Sequence, residues 1–265
     1  MPPTFTVQEH LLPGDDIAAK WAVASRLGYG GIELRGGAGM RERLPELTAA
    51  AKAGVPMQSI CVITRTFIGA FTEEERAEAR RIIGELLEVA AAVGAKGVIT
   101  PAAYGIHSNR LPPHKPRRPP EEDRAILTEA LSELGGVAGR LGVEIWLEPL
   151  NRYEDHMVNT LAQATTLVEA VGQPSVRIMA DLFHMNIEEA NTAEALRRAG
   201  AHVGHVHVAD NQRLEPGTGQ TDFAAAFAAL RDIGFSGVCA LECGLSADPE
   251  TSLAAARAAL RDAEG

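Results

Sequence analysis

Short apolar runs alternate with stretches of helical spacing along this chain. Residues 5–7, 30–34, 55–63, 96–100, 143–148, 176–181, 203–208 and 237–242 have the length and apolar content of strands. Between and after them, 15–27, 41–53, 73–93, 121–141, 160–171, 183–199, 221–233 and 249–263 carry apolar residues at helical spacing, as in Ile17, Trp21, Ala24 and Leu27. The stretch 183–199 reads as one helix or two. Glycines 54, 94, 142, 172 and 234 stand where helices stop. Thr72 with Glu75 predicts a capping box ahead of 73–93.

Strands alternating with helices imply parallel strands joined by helical crossovers. Eight such units, without a composition shift between them, predict an α/β fold in one domain over 1–265. Closed (β/α)8 TIM barrels take about 250 residues. An open doubly wound sheet would need a glycine-rich phosphate turn after the first strand, and the segment from Val7 to Leu12 contains none. The rhythm breaks at 104–120, where five prolines sit among Arg110, Lys115, Arg117 and Arg118. A loop of that length is either a solvated insertion or a lid over an anionic or polar substrate.

Alternate side chains of a barrel strand point to the axis. In the fifth strand Glu144, Trp146 and Glu148 share one face. In the sixth it is Arg177, Met179 and Asp181, in the seventh Val203, His205 and His207, and in the eighth Val238, Ala240 and Glu242. The opposite faces are the more consistently apolar and belong under the helices. Each inward face therefore ends on a metal-ligand type: Glu148, Asp181, His207 and Glu242, all at the C-terminal ends where barrels keep their chemistry. Pro149 directly after Glu148 stops that strand.

Neighbouring strands lie roughly 5 Å apart, so four such ends can converge. Three carboxylates that close repel one another unless a cation sits among them. Three oxygen donors and one imidazole suit one divalent ion: Mn²⁺, Mg²⁺ or Co²⁺, with Zn²⁺ also compatible. Singly, an acid at a strand end is an ordinary helix cap and an inward histidine an ordinary core group. The four in register carry the metal reading. His205, one layer deeper, is expected to be structural. His10, Glu33 and His107 fall near predicted strand ends on the same rim, as candidates to line the pocket, and rank below the others because no motif carries them.

Composition narrows the partners. The 265 residues carry a net charge of −10, which disfavours nucleic acid. Three cysteines with no paired framework fit a reduced, cytoplasmic chain. The first residues lack the features of a signal peptide, and no apolar run reaches membrane-spanning length.

The segments LEPLNRYE (147–154), ADLFHMNIEE (180–189), HVHVADNQRLEPGTGQTDF (205–223) and ALECGL (240–245) together resemble the xylose isomerase-like TIM barrels, most closely the ketose 3-epimerase and hydroxypyruvate isomerase branch. The N-terminal half shares only the barrel rhythm. The resemblance implies a divalent metal on Glu148, Asp181, His207 and Glu242. It also implies substrate contacts from Glu154, His184 and Arg213, and a dimer or tetramer. Taken singly, His184 reads equally as a helix cap and Arg213 as a partner of Glu215.

The expected activity is isomerisation or epimerisation of a ketose or related α-hydroxy carbonyl through a metal-stabilised enediolate, with Glu148 and Glu242 as the catalytic pair. The rivals are a lyase or dehydratase on an inositol-like ketone, an endonuclease-IV-like phosphodiesterase, and a non-catalytic sugar-binding barrel. The phosphodiesterase would need a basic groove and more ligands. The non-catalytic barrel would be expected to lack one of the two glutamates.

Overall fold

The structure, a computed structural model, describes residues 3–105 and 115–264. Eight strands run β1 (Thr4–Gln8), β2 (Ile32–Gly36), β3 (Met57–Val62), β4 (Gly97–Pro101), β5 (Glu144–Glu148), β6 (Val176–Asp181), β7 (Val203–Val208) and β8 (Val238–Leu241). Every neighbouring pair is parallel, and β8 pairs back onto β1, so the sheet closes into a barrel in chain order. Around it lie α1 (Ile17–Arg26), α2 (Leu44–Lys52), α3 (Glu73–Val93), α4 (Pro120–Leu141), α5 (Leu161–Val171), α6 (Leu182–Glu188), α7 (Thr192–Ala199), α8 (Phe223–Asp232) and α9 (Pro249–Glu264). Closure leaves no exposed sheet edge.

Local chemistry explains the element ends. Thr72 caps α3 in the expected capping box with Glu75, and Thr160 does the same for α5 with Gln163. The 183–199 stretch is two helices because Asn191 caps a second start. The second strand lies two residues further on than its apolar run suggested. Gly30 and Gly31 precede it, and a Cβ on Gly31 would meet the Pro56 carbonyl oxygen at 2.9 Å. The chain there approaches β3 too closely for a side chain.

The large apolar core lies between sheet and helices. Inside the barrel, Cys61, Ile99, Trp146 and Met179 form a separate small cluster. Trp146 stacks on the His205 ring with centroids 4.7 Å apart. Trp146, Met179 and His205 fill the barrel as the period of two predicts, but Val203 does not: the register shifts at the start of β7, so Val203 packs in the outer core and Gly204 turns inward. No helix among the described residues is long and apolar enough to cross a membrane.

Of the proline- and arginine-rich 104–120 segment, residues 106–114, including His107, lie outside the described residues. Its second basic group is structural. Arg118 is half-buried, pairs with Asp123 at 2.8 Å and donates to the Gly69 and Ala70 carbonyls. Arg117 lies over the Phe71 ring.

Candidate active site

At the C-terminal mouth, one ligand atom from each of Glu148, Asp181, His207 and Glu242 lies within 4.8 Å of the others. Strand register brings them together: Asp181 pairs with His207, which pairs with Ala240, two residues before Glu242. Asp181 uses its two oxygens separately. Oδ1 caps α6 by accepting from Phe183 N and His184 N. Oδ2 faces the cluster, 3.8 Å from His207 Nδ1. The helix-cap and metal-ligand readings of an acid at a strand end are both satisfied by one side chain.

His207 is committed on one side only. Its Nε2 lies 2.8 Å from Glu33 Oε1, so a proton sits there, and the neutral ring presents its Nδ1 lone pair to the cluster. Nδ1 is buried and makes no well-directed hydrogen bond. It faces Glu242 Oε2 at 3.0 Å, Asp181 Oδ2 at 3.8 Å and Glu148 Oε1 at 4.0 Å. A lone pair and three carboxylates around one point are mutually repulsive without a cation, so this donor set fits a divalent ion.

The protein's own charges respond to that crowding. Burial, then the Glu242 and Asp181 charges, push the Glu148 carboxyl well above its ordinary range. Burial raises Glu242 too, but His207 and Arg213 outweigh it and hold this carboxyl at about 2. Asp181 is likewise held low against its burial, chiefly by Arg213. Burial disfavours the charged His207 ring, yet Glu33 and Glu242 raise its pKa well above the usual histidine value, so without an ion Nδ1 also carries a proton, which a bound ion would displace.

Arg213 is the cation already present. It donates through Nη1 to Asp181 Oδ2 at 2.6 Å and through Nη2 to Glu242 Oε2, and its guanidinium lies over the Phe183 ring. The ordinary pairing with Glu215 does not occur, because Glu215 accepts from Ser246. Arg213 reaches inward from a left-handed backbone position, φ 58°. Asp210 shapes that turn. Its carboxylate accepts from the backbone N–H groups of Asn211, Gly217, Gly219 and Thr221.

His184 does not itself supply the cap of its helix. Its Nδ1 accepts from the backbone N–H of Asn151 at 3.2 Å, which leaves Nε2 to carry the proton. Nε2 points at the cluster, 3.8 Å from both Glu148 Oε1 and Asp181 Oδ2. Burial lowers the His184 pKa, so the ring is a neutral donor. The Asn151 side-chain Nδ2 donates to Glu154 Oε1 at 2.9 Å and lies 2.9 Å from His184 Nδ1, tying two of the expected substrate contacts to one residue.

Above the cluster lies a cavity of about 530 Å³ whose lining includes Glu148, Glu154, His184, Arg213, Glu242 and Cys61. Asp181 and His207 form its buried floor. The four expected metal ligands and the three expected substrate contacts therefore meet in one place.

The family model of the xylose isomerase-like TIM barrel matches residues 21–263. The chain belongs to that family. Within this family it is similar to 3-dehydro-D-guloside 4-epimerase of Escherichia coli (strain K12), 40% identical over 229 residues, covering 86% of this chain and 87% of that protein. It is similar to D-psicose 3-epimerase of Enterocloster bolteae, 43% identical over 120 residues, covering 45% and 40%. The apo crystal structure of 3-keto-D-glucoside 4-epimerase from E. coli superimposes with a TM-score of 0.92 at 37% identity, over 98% of this chain and 99% of that one. This xylose isomerase-like barrel is an enzyme, and its relatives are sugar epimerases.

Two placements in this xylose isomerase-like barrel differ from those read along the chain. His10 is on the rim but lines a neighbouring cavity with Arg35 and Lys20. Glu33 does not line a pocket at all. It is fully buried in mid-strand, where it accepts from Gln8 Nε2 at 3.0 Å and Ser59 Oγ at 2.6 Å and meets His205 Nε2 at 2.9 Å as well as His207. Burial raises its carboxyl, but the two histidines hold it well below the ordinary value. Gln8 also donates to Glu242 Oε1 at 3.0 Å. A carboxylate at an inward position beside two inward histidines was the available signal; Gln8, Ser59 and Asn151 gave none.

Proposed function

We propose that this chain is a divalent-metal-dependent epimerase of a keto-sugar, inverting the hydroxyl-bearing carbon next to the carbonyl. The observation that carries the reading is the convergence of Glu148, Asp181, His207 and Glu242 at the floor of the cavity in the barrel mouth. Similarity over most of its length to a 4-epimerase of a 3-dehydro sugar points to the carbon beside a 3-keto group. Mn²⁺, Mg²⁺ or Co²⁺ is the proposed ion.

Held by those four side chains, a divalent ion would polarise the carbonyl and stabilise the enediolate. The remaining steps belong to the chain. Glu148 at the end of β5 and Glu242 just beyond β8 approach the substrate from different sides. One takes the proton from the carbon next to the carbonyl. The other returns a proton to the opposite face of the same carbon, which inverts it. His184 donates its Nε2–H to a substrate oxygen, and Arg213 and Glu154 hold neighbouring hydroxyls.

Among the described residues, the second group with ligand chemistry, Glu33 with His205 and His207, is closed by hydrogen bonds among its own members. That favours one ion per chain over a multi-metal phosphodiesterase centre. The test is a 3-keto-glucoside in D₂O with Mn²⁺. Deuterium is expected at C4 along with the C4 epimer. Glu148→Gln and Glu242→Gln should each lower turnover by about 100-fold or more. Normal turnover of either variant at saturating metal would refute the assignment.

A further inference from the structure

The cavity over the cluster is not the largest one on this rim. A second cavity, about 720 Å³, opens beside it over the ends of β1, β2 and β3. The two share Arg35, Ile63 and Thr64 as a common wall. The reacting end of a sugar is fixed by residues of β5 to β8. Across the mouth from those residues, the shared wall of Arg35, Ile63 and Thr64 gives its free end a path into the second cavity.

The charge of that second cavity is distinctive. The chain as a whole is acidic, with 35 acidic and 25 basic residues. Lys20, Arg35 and Arg65 line the second cavity, and among the described residues their side chains make no ion pair or hydrogen bond. The acids of the same cavity are already occupied. Glu9 accepts Arg43 Nη1 and Nη2 at 2.9 and 2.8 Å and the Arg35 backbone N–H at 2.9 Å. Glu78 is held by Arg81 at 2.7 and 2.8 Å. The cavity thus presents three positive charges without a direct ion-pair partner on an acidic protein, next to the apolar side chain of Ile63, which is 43% exposed.

We infer that the substrate extends beyond one sugar ring, and that its substituent carries an anionic group, a carboxylate or a phosphate ester, received by Lys20, Arg35 and Arg65 in the second cavity. This rests on the keto-sugar reading of the neighbouring site and names the class of substrate it takes. A free monosaccharide fills the first cavity and leaves the second to water. A keto-glycoside with an acidic substituent fills both.

The test compares three 3-keto-glucosides that differ only in the substituent: glycerol, glycerate and glycerol phosphate. The two anionic ones are expected to have kcat/KM about tenfold above the neutral one, mainly through KM, and to lose that advantage in high salt. In Lys20→Met/Arg65→Met and in Arg35→Met the ratio falls toward one. Arg65→Lys, which keeps the charge, retains it. The carboxylate and phosphate arms separate the two anion sources. Calorimetric titration with the unoxidised glucosides reads the cavity without any chemistry and should show the same ratio in Kd. Equal kcat/KM and equal Kd for the charged and neutral compounds would overturn the inference, as would a preference that survives loss of the cations. If no ketone exchanges deuterium while the Kd ratio persists, the epimerase reading fails and the anion site stands.

Discussion

Glu33 Oε1 lies 2.8 Å from His207 Nε2, across the barrel from the strand that carries the histidine. This contact fixes the tautomer and turns Nδ1 toward the three carboxylates. Such partners orient a ligand and raise its basicity. Glu33→Gln keeps the shape but removes the charge that holds the Nε2 proton. Its affinity for Mn²⁺ should fall by about 10–100-fold. A metal titration checks this, and unchanged affinity would show that His207 is oriented by packing alone.

Arg213 neutralises Asp181 and Glu242 in the protein without metal. Removing it leaves the buried Asp181 and the part-buried Glu242 without their nearest cation. Arg213→Met should therefore destabilise the protein in EDTA by about 1–3 kcal/mol. Added Mn²⁺ supplies the missing charge, so the rise in Tm on adding metal should be larger in the variant than in the wild type. Equal metal-induced rises would mean that the guanidinium and the ion do not act on the same charges.

Asp210 organises the turn that presents Arg213. Burial alone would raise its carboxyl, but backbone N–H donors, from Thr221 first, hold it below its ordinary 3.8. A depressed carboxyl contributes stability above the unfolded value and loses it as pH falls through the folded one. The Tm difference between wild type and Asp210→Asn should therefore be full near pH 6 and shrink below pH 4. At pH 7 the loss of charge-assisted bonds should cost about 1–3 kcal/mol. A difference constant from pH 7 to pH 3 would exclude the carboxylate as the source.

Gly204 faces the stacked pair in the barrel interior. A Cβ there would lie 2.4 Å from Trp146 Nε1 and 3.0 Å from Glu144 Oε2. Gly204→Ala should overpack the barrel and lower stability by about 1–3 kcal/mol. Displacing Trp146 also disturbs His205 and, through Glu33, His207, so metal affinity should fall with it. Denaturant unfolding and a metal titration on the same sample read both effects.

What local pattern could determine, it did. A period of two along β5 to β8 aims Glu148, Asp181, His207 and Glu242 at one axis, because side-chain alternation belongs to a single strand. Adjacent parallel strands then need only their order to bring the ends together. Capping at Thr72 and the stops at Gly94 and Gly142 are also local, and α3 has the expected ends.

Only closure of the barrel decided the rest. Glu33, Gln8 and Ser59 come from the first three strands and meet His205, His207 and Glu242 from the last two across the interior. No spacing in the chain encodes a contact across the axis, since it depends on tilt, stagger and the joining of β1 to β8. Arg213 is decided in the same way. Its identity is in the sequence, but its place on Asp181 and Glu242 requires a left-handed turn held by one carboxylate and four backbone donors. Sequence periodicity sets the direction of a side chain from its own strand. Which charge meets it from the far wall is a property of the folded barrel.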